Sequence, residues 1–202
     1  MNAVMEPFSY SGKEVQFWSI TGKVVSSSKR SETHVNTSYG TARTSSGITY
    51  SVPRVNSDVV VKQEFFLLTE DGKEVPIQLT GYDVPVRDGH TVTMIGGQVP
   101  GKGDYWVRMA VHDTGQSWAV NNDVQLPHMW GLVSGNRRVL ILLGLIVVGL
   151  ILVLPTFGAS LLVPVVYFIS SVRRSNALIR RLKQHMDRLS RTALAVKPSL
   201  IA

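Results

Sequence analysis

The chain has 202 residues and no cysteine, which excludes disulfides and thiolate metal sites. Its formal charge of +7 is unevenly distributed: residues 1–136 hold 11 Lys or Arg against 13 Asp or Glu, whereas residues 137–202 hold 10 against one. The excess positive charge therefore lies beside a long apolar run, which favours an anionic membrane surface over nucleic acid as its counterpart.

The N-terminal sequence MNAVMEPFSYSGKEV has no basic stretch followed by an apolar core, so we expect no secretory signal peptide. We predict that residues 1–128 form a soluble domain that stays in the cytoplasm. The lack of cysteine and of a targeting signal is typical of the cytoplasmic face of a bacterial membrane.

Residues 14–125 show the pattern of short β-strands separated by turn residues. Asp71-Gly72 between two apolar stretches predicts a tight hairpin, and Thr21-Gly22, Asp88-Gly89 and Thr114-Gly115 predict further turns. The Ser/Thr/Gly-rich residues 38–47 are predicted to be a loop. The fold class that follows is a mainly β N-terminal domain, either a small barrel or a sandwich, with an OB- or SH3-like barrel as the first choice. The predicted strands are 15–20, 23–27, 33–37, 48–52, 59–68, 73–79, 91–95, 105–111 and 117–120.

Two short motifs within this domain suggest chemistry but are better explained as a flexible β-loop and a hairpin turn. Residues 96–102 fit GxxxxGK, yet no Ser or Thr follows the lysine and the next residues alternate like a strand. Asp113-Thr114-Gly115 resembles the aspartic-protease triplet, but the same residues favour a hairpin turn. The five histidines are far apart in sequence and are interpreted as surface residues. We therefore predict no catalytic residue, no cofactor and no metal site, and a protein that is not an enzyme.

Residues 139–172 contain no charged side chain over 34 positions. A core helix of a soluble protein rarely needs such a run, whereas a bilayer core of ~30 Å requires roughly 20 apolar residues. One straight helix would be roughly 51 Å long and two helices about 24 Å each, at 1.5 Å per residue. Pro155 and Gly158 are predicted to form a turn in the middle of this membrane segment. A hairpin, spanning or re-entrant, is favoured over a single crossing.

Basic residues flank the apolar run on both sides, as expected at the cytoplasmic ends of membrane segments. Both ends of the hairpin are therefore placed in the cytoplasm, and the membrane segment is taken as residues 129–172 with Trp130 near the interface. The basic residues predicted to face anionic headgroups are Arg137, Arg138, Arg173, Arg174, Arg180, Arg181 and Lys183.

Residues 173–202 are predicted to form a basic amphipathic helix with a short tail. Leu178, Leu182, Met186 and Leu189 recur at helical spacing, and arginines occupy the other face. Three interpretations stay open: a helix lying on the inner leaflet, an oligomerising coiled coil, or an extension of the second membrane helix.

Four stretches resemble a pattern found in uncharacterised bacterial inner-membrane proteins: SETHV at 31–35, VKQEF at 61–65, GYDVPV at 81–86 and RDGH at 87–90. The resemblance covers most of the chain and implies a β domain ahead of an apolar hairpin, without implying an activity. In coupling a small barrel to membrane helices the chain is also similar to the NfeD proteins, where the barrel follows the membrane segment instead of preceding it.

The sequence thus predicts a membrane-anchored protein whose cytoplasmic β domain acts as a binding, adaptor or regulatory module. Its expected partners are a bilayer with anionic headgroups and another protein or further copies of itself, and nucleic acid is not among them. The alternative is a membrane-remodelling or oligomeric pore-type protein that uses the hairpin and the basic helix.

Overall fold

The computed structural model describes residues 3–43, 45–47, 49–133, 135–151 and 162–196. The predicted mainly β character and the predicted helical C-terminal part are confirmed, and the strands pair in antiparallel fashion. The finer prediction of a small barrel or sandwich stays a prediction. The elements are β1 Ala3–Tyr10, β2 Lys13–Arg43, β3 Thr49–Thr69, β4 Glu74–Thr80, β5 Thr91–Gln98, β6 Tyr105–Val111, β7 Gln116–Ala119, α1 Leu126–Met129, α2 Gly135–Ile151 and α3 Leu162–Ala195.

The described chain divides into two compact units, of which the first comprises residues 1–21 and 91–202 and the second comprises residues 22–90. This division differs from the predicted boundaries at 128 and 172. The physical reason is that apolar residues of α3 share one buried cluster with residues of the strands, so the C-terminal helix belongs to the core of the first unit.

In the second unit, β2, β3 and β4 follow one another as antiparallel neighbours. The predicted hairpin at Asp71-Gly72 is confirmed: Lys62–Leu68 of β3 pair with β4, and Gly72 has a φ of +73°. Thr69 closes this turn through its amide, which donates to the carbonyl oxygen of Lys73 at 2.9 Å. Val24, Phe65, Leu67 and Ile77 are buried in this unit.

Two predictions about β2 are wrong. No turn forms at Thr21-Gly22, because Gly22 lies inside the strand and pairs with Thr69; a Cβ there would come within 2.7 Å of the carbonyl oxygen of Leu68. Residues 38–43 belong to the same strand instead of a loop, since each pairs with a residue of β3 up to Arg43 opposite Thr49. Ser and Thr are compatible with a paired strand, so their abundance did not indicate a loop.

In the first unit, β1 pairs with the beginning of β2, and the hydrogen-bonded order continues from β2 through β5 and β6 to β7. Val15, Phe17, Ile95 and Val107 form a core that also contains Trp130, just after α1. The helix α3 has 34 residues and packs along part of its length on β1, β5, β6 and β7. None of the helices in the described ranges is both long enough and apolar enough to cross a membrane.

Candidate functional site: an apolar hairpin and a docked basic helix

The helix α2 and the first part of α3 contact each other. A groove of about 320 Å³ between them is lined by Val139 and Leu142 from α2, and by Tyr167, Phe168 and Val172 among the residues from α3. The first half of α2 thus lies beside the stretch of α3 from Tyr167 to Asn176. We call residues 139–151 and 162–172 of these two helices the apolar hairpin.

The apolar hairpin exposes most of its large hydrophobic side chains. Exposed contiguous apolar surface of this extent is unusual for a protein surface in water and marks an interaction site or a membrane contact. The exposed residues are Val139, Leu140, Ile141, Leu143, Ile146, Val147, Val148, Leu150 and Ile151 on α2, and Leu162, Val163, Val165, Val166, Phe168, Ile169 and Val172 on α3.

The predicted basic residues lie next to this surface and beyond it. Arg137 and Arg138 lie at the beginning of α2. Arg173 and Arg174 follow Val172 directly, and the guanidinium of Arg174 donates to the Oγ of Ser170 at 3.0 Å. Farther along α3 the predicted cations Arg180, Arg181 and Lys183 are exposed. The predicted membrane turn at Pro155 and Gly158 lies outside the described residues.

The second half of α3 is docked on the β-strands. Leu178, Leu182, Met186, Leu189 and Ala193 are buried in the same cluster as the core residues of the first unit. The predicted helical spacing of these residues is therefore correct, but the apolar face contacts protein and does not lie on lipid. Of the three interpretations, the continuous helix from Leu162 to Ala195 agrees with an extension of the second apolar segment.

Trp130 also differs from its predicted place at a membrane interface. Its side chain is fully buried and meets the ring of Phe17 edge-on, with ring centroids 6.0 Å apart. The indole belongs to the buried hydrophobic cluster that also contains the apolar residues of α3. The chain therefore leaves the core close to the beginning of α2, and it returns to the core in the middle of α3.

A buried arginine fixes the docked half of α3 to the strands. Arg108 on β6 is 3% exposed, and its guanidinium donates to the carboxylate of Asp123 at 2.7 and 3.0 Å and to that of Asp187 at 2.9 and 3.1 Å. A fifth bond reaches the carbonyl oxygen of Val107 at 3.0 Å. All five N–H donors of the guanidinium are therefore satisfied.

Burial disfavours the charged guanidinium, but the hydrogen bonds and charges of Asp123 and Asp187 outweigh it and raise the pKa of Arg108 above its ordinary value. Sequence reasoning missed this site. The available signals were an arginine in the apolar strand YWVRMAV and Asp187 as the lone acid among the basic residues after position 136.

A second polar contact joins α3 to β1. His185 is 8% exposed, so its prediction as a surface histidine is wrong. Its Nε2 lies 3.0 Å from the carbonyl oxygen of Glu6, and its ring lies against Phe8 and Phe17 with centroids 5.6 and 5.5 Å apart. A carbonyl oxygen only accepts, so Nε2 of His185 is the donor in this contact.

His112, the residue directly after β6, is hydrogen-bonded through Thr93 on β5 to Thr21 on β2. Its Nε2 lies 2.8 Å from the hydroxyl of Thr93, which lies 2.7 Å from the hydroxyl of Thr21. Next to it, the carboxylate of Asp113 accepts the backbone N–H of Thr91 at 2.6 Å, and Gly115 has a φ of +65°. The Asp113-Thr114-Gly115 triplet is thus the predicted hairpin turn between β6 and β7.

The partial burial of His112 predicts a pH-dependent contribution to stability. Burial lowers the pKa of His112 below its ordinary value of 6.5, although the nearby Asp113 acts in the opposite direction. The unfolded chain then binds more protons, so this contribution is complete above pH 6.5 and is lost as the pH falls through the folded-state pKa. A His112→Gln variant, followed by urea unfolding at several pH values, should show a shallower loss of unfolding free energy below pH 6.5. If the unfolding free energy of the variant falls as steeply below pH 6.5 as that of the wild type, His112 does not make this contribution.

Neither the side chains nor the comparisons point to a bound metal or a known family. In the part of the chain that the structure describes, no three His, Asp or Glu side chains are grouped closely enough to share a metal ion. No protein-family model, no curated protein and no solved structure matches this chain. The function must therefore be argued from the apolar hairpin and from the way the fold holds it.

Proposed function

We propose that the apolar hairpin inserts into a bilayer with anionic headgroups and anchors the β units at the cytoplasmic face of a bacterial inner membrane, where they bind another protein. The exposed large hydrophobic side chains on both helices carry the proposal. Complete burial of a Val, Leu, Ile or Phe side chain contributes about 1.5–3 kcal/mol, so many half-exposed ones together favour transfer out of water.

The way the chain enters and leaves the hairpin supports insertion from one side. Trp130, close to the beginning of α2, is fixed in the core of the first unit, and Leu178 and Leu182 of α3 are fixed in the same core. Both ends of the hairpin therefore start from one protein body. Basic residues adjoin these ends, where they can meet anionic headgroups.

The same architecture supports the proposed adaptor or regulatory role of the β units. A folded β part held beside a bilayer is suited to presenting a surface to a partner. Fold alone does not determine function, so this part of the proposal rests on position. The prediction of a small OB- or SH3-like barrel for these strands belongs to the same proposal.

Flotation with lipid vesicles tests the anchor. The full chain is incubated with phosphatidylglycerol-containing vesicles and centrifuged through a density gradient, and the bound fraction is measured. The wild type should float, whereas Val166→Lys should bind up to about 100-fold more weakly, because a lysine inside a membrane helix costs about 3 kcal/mol. Val4→Lys is the matched control, since Val4 is 91% exposed but lies on β1.

The proposal fails if the wild type stays with the unbound protein, or if both lysine variants float equally well. Circular dichroism of each variant checks that the fold is retained. Vesicles filled with a fluorescent dye should stay sealed during binding. Release of the dye by the wild type would instead support the pore-forming alternative.

A further inference from the structure

Two lysines of the first unit converge on Gly131, close to the point where the chain leaves the core for the apolar hairpin. The ammonium of Lys13, at the start of β2, donates to the carbonyl oxygen of Gly131 at 2.5 Å. A Cβ added to Gly131 would lie 3.6 Å from the same ammonium nitrogen and 3.5 Å from the Cε of Lys102. The two side chains therefore flank one glycine shortly before α2 begins. We call Lys13 and Lys102 the lysine pair.

The lysine pair lies at one end of the sheet of the first unit. The strands β2 and β5 are neighbours, and the hydroxyl of Thr21 on β2 lies 2.7 Å from that of Thr93 on β5. Nearer the end of β5, a Cβ added to Gly97 would meet the ring of Phe17 at 3.0 Å. The beginning of β2 therefore lies beside the end of β5. One lysine begins β2 and the other lies in the turn after β5, and both are exposed.

The docked half of α3 shows in which direction the apolar hairpin leaves the sheet. The hydroxyl of Ser190 lies 3.3 Å from that of Ser117 on β7, and Ser117 pairs with Ala110 of β6. Asp187, one turn earlier on α3, meets Arg108, which is nearer the beginning of β6. Going back along α3 thus leads toward the beginning of β6, which pairs with the end of β5. This is the end of the sheet that holds the lysine pair.

The lengths of these elements place the apolar hairpin beyond that end. The stretch from Val172 to Asp187 spans ~22 Å of helix at ~1.5 Å per residue. The stretch of β6 from Tyr105 to Arg108 spans only ~10 Å at ~3.4 Å per residue. Tyr10 and Tyr105 are half-buried at this end, and tyrosine is favoured at membrane–water interfaces. A bilayer that takes up the hairpin therefore faces the lysine pair.

We propose that the lysine pair binds the phosphate group of an anionic phospholipid at the base of the apolar hairpin, an inference that rests on the proposed membrane anchor. Two like charges beside one glycine repel each other, and an anion between them offsets this repulsion. Lys13 uses one of its three N–H donors on Gly131, so others stay available. Within the described ranges neither lysine forms an ion pair with a carboxylate. The phosphate is assigned to lipid because the hairpin brings headgroups to this end of the sheet.

Flotation of the full chain over a series of lipid concentrations tests the lysine pair. Each cation near an anionic membrane surface strengthens binding about fivefold, so Lys13→Gln/Lys102→Gln should bind phosphatidylglycerol-containing vesicles about 30-fold more weakly than the wild type. On vesicles of phosphatidylcholine alone, which have no net charge, the two proteins should bind alike.

Arg188→Gln/Arg191→Gln is the matched control, because it removes the same charge from exposed side chains of the same unit. Arg188 follows Val172 by ~24 Å of helix, which exceeds the Debye length of ~10 Å at 0.1 M salt. The control should therefore bind both kinds of vesicle as the wild type does. Circular dichroism checks that both double variants keep the fold.

The outcomes separate the lysine pair from the anchor. If the wild type floats but the lysine and arginine double variants bind phosphatidylglycerol-containing vesicles equally well, only the proposal for the lysine pair is overturned. If the wild type floats with neither kind of vesicle, the membrane anchor is overturned and the lysine pair with it. A 30-fold loss confined to the lysine variant and to the anionic vesicles supports both.

A dye attached to single cysteines tests which end of the sheet faces the bilayer, since the chain has no cysteine of its own. Ser11→Cys lies in the turn directly before β2, and Gln116→Cys follows the turn between β6 and β7 at the other end; both positions are exposed. With phosphatidylglycerol-containing vesicles, an environment-sensitive dye on Ser11→Cys should shift its emission to shorter wavelength, whereas the dye on Gln116→Cys should not. A shift at Gln116→Cys alone, or at neither position, overturns the proposal.

Discussion

An Arg108→Ala variant is expected to lose about 3 kcal/mol of unfolding free energy, because removal of one partner from a buried ion pair leaves the other charge uncompensated. Two carboxylates would lose their partner. Asp123 is the more buried one, with 16% of its side chain exposed, whereas Asp187 is 41% exposed and regains water more easily. Most of the loss should therefore come through Asp123, and Asp123→Asn should cost more than Asp187→Asn.

Urea unfolding of the full chain in detergent micelles, followed by tryptophan fluorescence, measures this loss. Arg188→Ala is the matched control, since Arg188 lies next to Asp187 on α3 but is exposed, and such surface changes usually alter stability by about 0.5 kcal/mol or less. Arg108→Lys should fall between the two, because an ammonium offers three donors where the guanidinium uses five. An Arg108→Ala variant as stable as the control would contradict the role assigned to this arginine.

The arginine site also shows what the sequence could and could not predict. The spacing of Leu178, Leu182, Met186 and Leu189 correctly identified the face of α3 that leaves water. The helical spacing of apolar residues does not tell whether protein or lipid covers this face of α3, since both favour apolar side chains. The layer is made by residues such as Phe17 and Trp130, more than 40 positions away in the chain. Only the tertiary fold brings Asp187 to Arg108.

The strands also show that the sequence predicts local features but not those decided by tertiary pairing. The hairpin at Asp71-Gly72 was predictable because the turn chemistry is local. The extent of β2 was not, because Ser, Thr and Gly between positions 38 and 43 fit a loop as well as a strand, and the pairing with β3 decides. Thr21-Gly22 favours a turn by its residue types alone, but in the fold Gly22 allows close approach of the neighbouring strand.

We expect that the packing of α3 on the β-strands can be weakened without weakening the binding of the apolar hairpin to a bilayer. A Leu182→Ala variant tests this. Leu182 is fully buried in the core cluster, so its truncation should cost about 2–5 kcal/mol of unfolding free energy. The loosened helix should also be cut faster by trypsin after the exposed Arg180, Arg181 and Lys183. Gln184→Ala, on the exposed side of the same turn, should change neither quantity.

Flotation of the same variants then separates the two properties. The apolar hairpin ends at Val172, ten residues before Leu182, so Leu182→Ala should bind phosphatidylglycerol-containing vesicles as the wild type does. A loss of vesicle binding in Leu182→Ala, but not in Gln184→Ala, would mean that the docked half is needed to hold the hairpin for insertion. Retained binding with lowered stability would place the anchor in residues 139–172, with the buried face of α3 serving to connect it to the β fold.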